Sequence, residues 1–300
     1  MKAFVFLNKK SGSGNSEKYF YNHLKYFIND NFSEYVLLNL PCECNEYTID
    51  NNDNIHSNCI FIIGGDGTVS LTIENIIKNS NFTNLKIPIY ICPQGSGNGL
   101  AKNLNIDPYN LRLDGYKKYI NPMEIEYDNN LNLSFLSQTW GVISDIDFNT
   151  EHLRYIGDFR FYYGILKCIF LPNYYRGKLD ITTKGDNNYI FTDDFYMICA
   201  SNAPWISNDF KLATKGDIFS NDIDVLIIRK KLSLFERLKL VYYILNENIH
   251  ELDFIEYFKL NKYNLEILDG NSIIARDGET VNSNKINVAN TDKKFLFYCF

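Results

Sequence analysis

The chain has 300 residues, 45% hydrophobic and 22% charged, enough to bury sizeable cores in two domains of ordinary size. A net charge of −6 argues against nucleic acid as a partner, and the longest basic cluster, Arg229-Lys230-Lys231, reads as a solvated strand end. No run approaches the roughly 18 apolar residues needed to cross a bilayer, and the seven scattered cysteines read as reduced thiols, so the expectation is a cytoplasmic protein whose membrane contact is peripheral.

Ala3–Leu7 reads as a short apolar strand, too soon polar for a signal peptide. It runs into the loop Asn8-Lys9-Lys10-Ser11-Gly12-Ser13-Gly14-Asn15-Ser16 and then a helix around Tyr19–Ile28. Strand, glycine loop and helix make the first unit of a nucleotide-binding sheet, although the Walker spacing is absent. Tyr35–Leu40 is a second strand. Cys42 and Cys44 form a C-x-C without the further ligands a zinc site needs.

Cys59–Ile63 is continuously apolar, the mark of a buried parallel strand. It empties into Gly64-Gly65-Asp66-Gly67-Thr68, where three missing Cβ atoms let backbone amides approach a ligand. Thr68 is placed to cap a helix over Val69–Ile77. Ile87–Ile91 is the next strand, ending in Gln94-Gly95-Ser96-Gly97-Asn98-Gly99. Three strand-to-glycine loops at the carboxyl ends of parallel strands converge on one crevice, where open α/β sheets bind ligands.

The pattern changes near Asn121-Pro122. Met123–Tyr127 and Leu131–Ser137 read as a hairpin turned by Asp128-Asn129-Asn130. Further strands are expected over Lys178–Thr183, Asp194–Ala200, Ile223–Arg229, Asn264–Leu268 and Ser272–Arg276, with turns at Asp269-Gly270 and Asp277-Gly278. Ser233 and Glu236 form a capping box. The fold expected is a Rossmann-like α/β nucleotide-binding domain over 1–121 and an antiparallel β-sandwich over 122–300, the last strand being free to return to the first domain.

The segment Trp140 to Gly164 carries the densest chemistry. Asp147 falls near an expected helix start where Asn149 or Thr150 could cap; Arg154 follows, Gly157 ends that helix, and Arg160 comes after. Spacing alone leaves two readings open: a cap with a surface ion pair, or two guanidinium groups gripping phosphoryl oxygens bidentately. Phe161–Tyr175 is long, apolar and aromatic, either core or the wall of an apolar tunnel.

The order G-G-D-G-T, G-S-G-N-G-L-A, W-G-x-x-x-D-x-D-x-x-x-E-x-x-R-x-x-G-x-x-R-F and a late D-G-E resembles the diacylglycerol kinase catalytic family, and within it the sphingosine kinases. The resemblance runs from Asn8 to about Glu279 and implies the NAD kinase/diacylglycerol kinase-like fold. It implies that Asp66 is the general base, and that Gly64, Gly65 and Gly67 line the meeting point of substrate head and phosphates. Asn8, Lys9, Lys10, Gly95, Ser96 and Gly97 would hold ATP, with Arg154 and Arg160 on its phosphates. Asp277, Gly278 and Glu279 would close the site near Mg²⁺ and nucleotide. Asp147 would pair with the amine of a sphingoid base drawn from a membrane surface, and Ser137 would hydrogen-bond its head group.

Lys10 stands where sphingosine kinases more often have arginine, and two further positions depart from the family. Leu71 stands where a nucleotide-side glutamate is usual, with Glu74 about one turn further on, and the 41–45 loop lacks the usual threonine. Diacylglycerol or ceramide kinases and a non-catalytic homologue are the alternatives, and a homodimer stays open. Asp147 argues against neutral lipid heads, which offer it no cation.

Overall fold

The computed structural model describes residues 1–41, 58–80, 85–156, 159–269 and 272–300, with the backbone alone at 79–80 and 154–155. The expectations placed on Cys42, Cys44, the loop at 42–45, Gly157, Gly270 and the side chain of Arg154 lie outside the described residues.

β1 (Lys2–Leu7) leads into α1 (Ser16–Tyr19), which continues through a π turn at Phe20–Leu24 into α2 (Lys25–Asn31) and returns as β2 (Glu34–Asn39). β3 (Cys59–Gly64), α3 (Asp66–Ser80) and β4 (Leu85–Pro93) form the next unit, followed by the short α4 (Gly99–Asn103) and β5 (Tyr116–Ile120). β3 is buried along its whole length, as its unbroken apolar run requires of a strand covered on both faces.

The second domain starts with β6 (Met123–Tyr127), β7 (Asn130–Ser134), β8 (Ser137–Gly141), α5 (Val142–Asn149), a 3₁₀ turn at Glu151–Ile156 and α6 (Phe159–Phe170). β9 (Tyr175–Thr183), β10 (Asn188–Phe195), β11 (Met197–Ser201), β12 (Ile223–Ile228) and α7 (Leu234–Leu245) follow. It closes with β13 (Glu256–Ile267), β14 (Ile274–Arg276), β15 (Glu279–Val281) and β16 (Lys285–Asn290). β17 (Phe295–Cys299) then returns to the first sheet, whose order is β2-β1-β3-β4-β17-β5. There it runs parallel to β4 and antiparallel to β5.

The second sheet runs β15-β14-β8-β11-β12-β13-β16-β6-β7, with β9 on the other side of β13 and β10 beyond it. A register shift between Leu260 and Lys262 bends β13, so its first half pairs with β12 and its second half lies between β16 and β9. The sheet thereby folds into two layers around Trp140, Phe195, Val225 and Leu265. Trp140 on β8 packs so closely on Gly177 of β9 that a Cβ there would lie 2.6 Å from its ring. On β11 and β12 the residues alternate: Ile198 and Val225 face this core, whereas Met197 and Leu226 face the helices α5–α7.

Several boundaries move. The strand expected over Leu131–Ser137 is two strands, broken at Phe135-Leu136, because the amides of 135–137 leave the ladder for the carboxylate of Asp277. The strand expected over Asp194–Ala200 breaks at Tyr196, between β10 and β11. The turn of the first hairpin has Asp128 and Asn129 at φ 50° and 61°, the backbone a two-residue turn demands. The capping box of α7 is present as read.

Candidate active site

α3 begins at Asp66, earlier than its apolar pattern suggests, so Thr68 lies inside the first turn and caps nothing. Its hydroxyl instead accepts from Asn8 Nδ2 at 2.9 Å, and Asn8 Oδ1 accepts from the Lys10 amide at 3.1 Å. The loops after β1 and β3 are stitched together in this way. The loops after β3 and β4 meet backbone to backbone: a Cβ on Gly95 would lie 2.5 Å from the Cα of Gly65. A Cβ on Gly67 would lie 2.6 Å from Cγ of Glu279, so this glycine lets the late D-G-E turn sit on the first turn of α3.

Asp66 bridges two of these loops, accepting from the amides of Gly99 at 3.0 Å and Leu100 at 2.9 Å. Burial pushes its carboxyl up to about 7; those amides oppose the rise and the charge of Asp277 adds to it. A carboxylate poised near neutral pH is suited to accept a proton from a hydroxyl.

A cavity of about 470 Å³ opens from these loops into the second domain. Asn8, Lys10, Gly65, Asp66, Gly67, Gly95, Ser96 and Gly97 line it on the first-domain side. Three helices line it further on, each with one face at helical spacing: Ile143, Ile146 and Asp147 on α5; Phe161, Ile165 and Ile169 on α6; Arg237, Leu240, Val241 and Ile244 on α7. Phe161–Tyr175 therefore supplies a wall of the chamber through the inner face of α6.

Ser137, Arg160, Asp277, Gly278 and Glu279 line the same cavity. Arg160 is buried, 3.4 Å from Glu151 and with its guanidinium over the Phe161 ring. Two residues fall elsewhere. Lys9 turns outward to Glu17, 2.8 Å away, and Gly64 does not line the cavity, its missing Cβ leaving room for Thr68. Asp147 is not at a helix start; it lies in the second half of α5, and the hydroxyl of Thr150 bonds back to the Ile146 carbonyl.

Leu71 also lines the cavity, while Glu74 turns away from it to pair with Arg276 and accept from the Leu133 amide at 2.6 Å. Glu74 therefore does not stand in for the missing glutamate. Asp145 went unnoticed in the sequence. It is buried, accepts from the Tyr175 hydroxyl at 2.8 Å and Asn173 at 3.0 Å, and burial raises its pKa. The D-x-D spacing carried the signal: residues two apart on a helix face different ways, so Asp145 anchors α5 while Asp147 meets the cavity.

Residues 2–118 match the diacylglycerol kinase catalytic domain. Sphingosine kinase 2 of Arabidopsis thaliana is 30% identical over 40% of this chain and 27% of its own. Sphingosine kinase 1 of Arabidopsis thaliana is 25% identical over 63% and 41%, and Sphingosine kinase 1 of Homo sapiens 24% identical over 59% and 51%. The chain spans between about a quarter and half the length of these curated relatives. The crystal structure of a diacylglycerol kinase from Bacillus anthracis str. Sterne shares the fold, with TM-score 0.62 and 13% identity over 100% of this chain and 97% of that one. Motif order, the crevice and the catalytic domain matched over residues 2–118 together make this chain similar to the lipid kinases.

Proposed function

We propose that the chain is an ATP-dependent lipid kinase that phosphorylates the primary hydroxyl of a sphingoid base. The observation that carries this reading is a single cavity walled both by the glycine loops around Asp66 and by the apolar faces of three helices, with Asp147 on one of them. Phosphoryl transfer asks the protein chiefly for positioning and charge neutralisation. Lys10, Arg160 and the loop amides hold phosphate oxygens. Asp66 takes the hydroxyl proton as that oxygen bonds to the γ-phosphorus and the β–γ bridge breaks to release ADP. Asp147 pairs with the ammonium beside the hydroxyl.

Mg²⁺ would neutralise charge on the phosphates. It commonly takes one or two carboxylates together with substrate phosphates. Among the described residues no group of three His, Cys, Asp or Glu side chains could hold an ion. Glu279, at the cavity, fits the role of single protein carboxylate; Asp277 does not, for the reason given below.

Membrane contact belongs to the same proposal. Among the described residues no helix is long and apolar enough to cross a bilayer. Yet the two helices whose inner faces wall the chamber expose apolar outer stripes: Phe159, Tyr163, Leu166 and Phe170 on α6, and Phe235, Leu238 and Tyr242 on α7. Exposed apolar side chains gathered on the outer faces of these two helices suit an interaction surface, and a bilayer is the source from which a long-chain amine would enter such a chamber.

Transfer from radiolabelled ATP to sphingosine, phytosphingosine, ceramide and diacylglycerol tests the assignment. Labelling of the two amines above both neutral lipids is expected; equal or greater labelling of ceramide or diacylglycerol overturns it. Leu71 favours a second reading, a homologue that binds without turnover, and no labelling of any lipid would support that one.

A further inference from the structure

The D-G-E turn brings two carboxylates to one end of the site, and they differ sharply in surroundings. Asp277 is 6% exposed, and its oxygens receive five donors: the hydroxyls of Ser70 and Ser134 and the amides of Phe135, Leu136 and Ser137. The four contacts from 134–137 span 2.7–3.1 Å. The Asp277 amide returns a bond to the Ser137 carbonyl at 2.8 Å. A carboxylate has about four lone-pair sites, so a metal ion could bind this one only by displacing a donor.

The donors come from both domains. Ser70 belongs to the helix that opens with Asp66; the other four run from the last residue of β7 through the break to the first residue of β8. Gly67, Ser70 and Glu74 follow at helical spacing on one face of α3. That face meets Glu279, Asp277 and Arg276 in turn. Arg276 also donates to the Leu133 carbonyl at 2.9 Å.

We propose that Asp277 is a positioning residue, latching the second domain onto the catalytic helix by bridging Ser70 to the 134–137 turn, and that the metal side of the D-G-E pair falls to Glu279. The latch holds Ser137 at the cavity wall and the Asp277 carbonyl and Glu279 side chain against Gly67. Its loss loosens the lipid-facing wall without changing the demand for metal. The metal arm of the test rests on the kinase reading; the exchange arm does not.

The test uses the full chain and four variants: Asp277→Asn, Ser70→Ala, Ser70→Thr and Glu279→Gln. Hydrogen exchange is read on the free protein, together with KM for sphingosine and the Mg²⁺ concentration giving half-maximal turnover at saturating ATP. For Asp277→Asn and Ser70→Ala, amides 135–137 should exchange at least about tenfold faster, as loss of a bond to a charged group predicts. The lipid KM should rise severalfold and the Mg²⁺ midpoint stay within about twofold of the parent. Ser70→Thr, which keeps the hydroxyl, should restore both, and Glu279→Gln should raise the Mg²⁺ midpoint alone. Unchanged exchange at 135–137, or a Mg²⁺ midpoint raised about tenfold by Asp277→Asn, overturns the proposal. If Asp277→Asn does not fold, the Ser70 pair decides by the same exchange criterion. Absence of turnover in the parent would count against the kinase reading and leave the exchange result standing.

Discussion

Asp66 is held by two amides yet sits deep enough that its acid form survives to about pH 7. A base has to be ionised, so kcat/KM should rise with pH through about 7 and level off above it. Asp66→Asn should lower turnover by at least about 10²-fold and remove that rise. The same shift acts on stability. Its folded pKa lies above the unfolded value near 3.8, so the folded state holds this proton longer. The site's contribution is complete below about pH 4 and is lost as pH climbs to 7. The melting temperature of Asp66→Asn relative to the parent should therefore climb across that interval; a constant difference would contradict the assigned environment. For Asp147, placement inside α5 removes the helix-start cap as an explanation. A charge-assisted contact worth about 1.5–3 kcal/mol corresponds to roughly ten- to hundredfold selectivity. Asp147→Asn should raise KM for sphingosine and erase preference over ceramide, with ATP use little changed. Retained selectivity would sink the amine contact. The glycine-bracketed spacing singled out Asp66 in the sequence, whereas the role given to Asp147 came from the family resemblance and its spacing alone suggested a helix start. The occupancy of Asp277 was not legible, because its donors lie between 140 and 207 residues away along the chain.

At the scale of elements, α6 and α7 each do two things with one sequence. Inner positions follow helical spacing into the chamber while outer positions leave aromatic and aliphatic side chains in solvent. Apolar residues occupy both faces, and local sequence does not say which face meets a chamber, which is why the segment read equally well as core or as tunnel wall. Glutamate at the outer positions Phe170 and Phe235 should abolish flotation with phospholipid vesicles while leaving turnover of detergent-dispersed sphingosine near the parent value. Equal loss in both assays would mean the outer stripe supports the chamber rather than a bilayer contact. Periodicity located β1, β3, β4 and the capped start of α7 well, since each depends on its own residues. The break at 135–136 and the bend in β13 depend on partners far along the chain, and local pattern carries no trace of either.

Across the whole molecule, the α/β half is not closed by its own first 120 residues. β17 sits between β4 and β5, pairing Phe295 with both Leu85 and Ile120, and Phe295 and Phe297 are fully buried in the first core. The motifs of the glycine loops showed this domain plainly, whereas the return of the last strand was only one option a short apolar run allowed. A chain stopped after Asn290 should lose cooperative unfolding of the first domain as followed by circular dichroism, even though every glycine loop remains. An unchanged melting profile would show that β4 and β5 need no partner there.

That interleaving has a consequence during synthesis. The strand that completes the first sheet emerges from the ribosome after the entire second domain, so the early segment must wait, with β4 exposing an unpaired edge. The first sheet is therefore completed only once the segment that builds the chamber has been made.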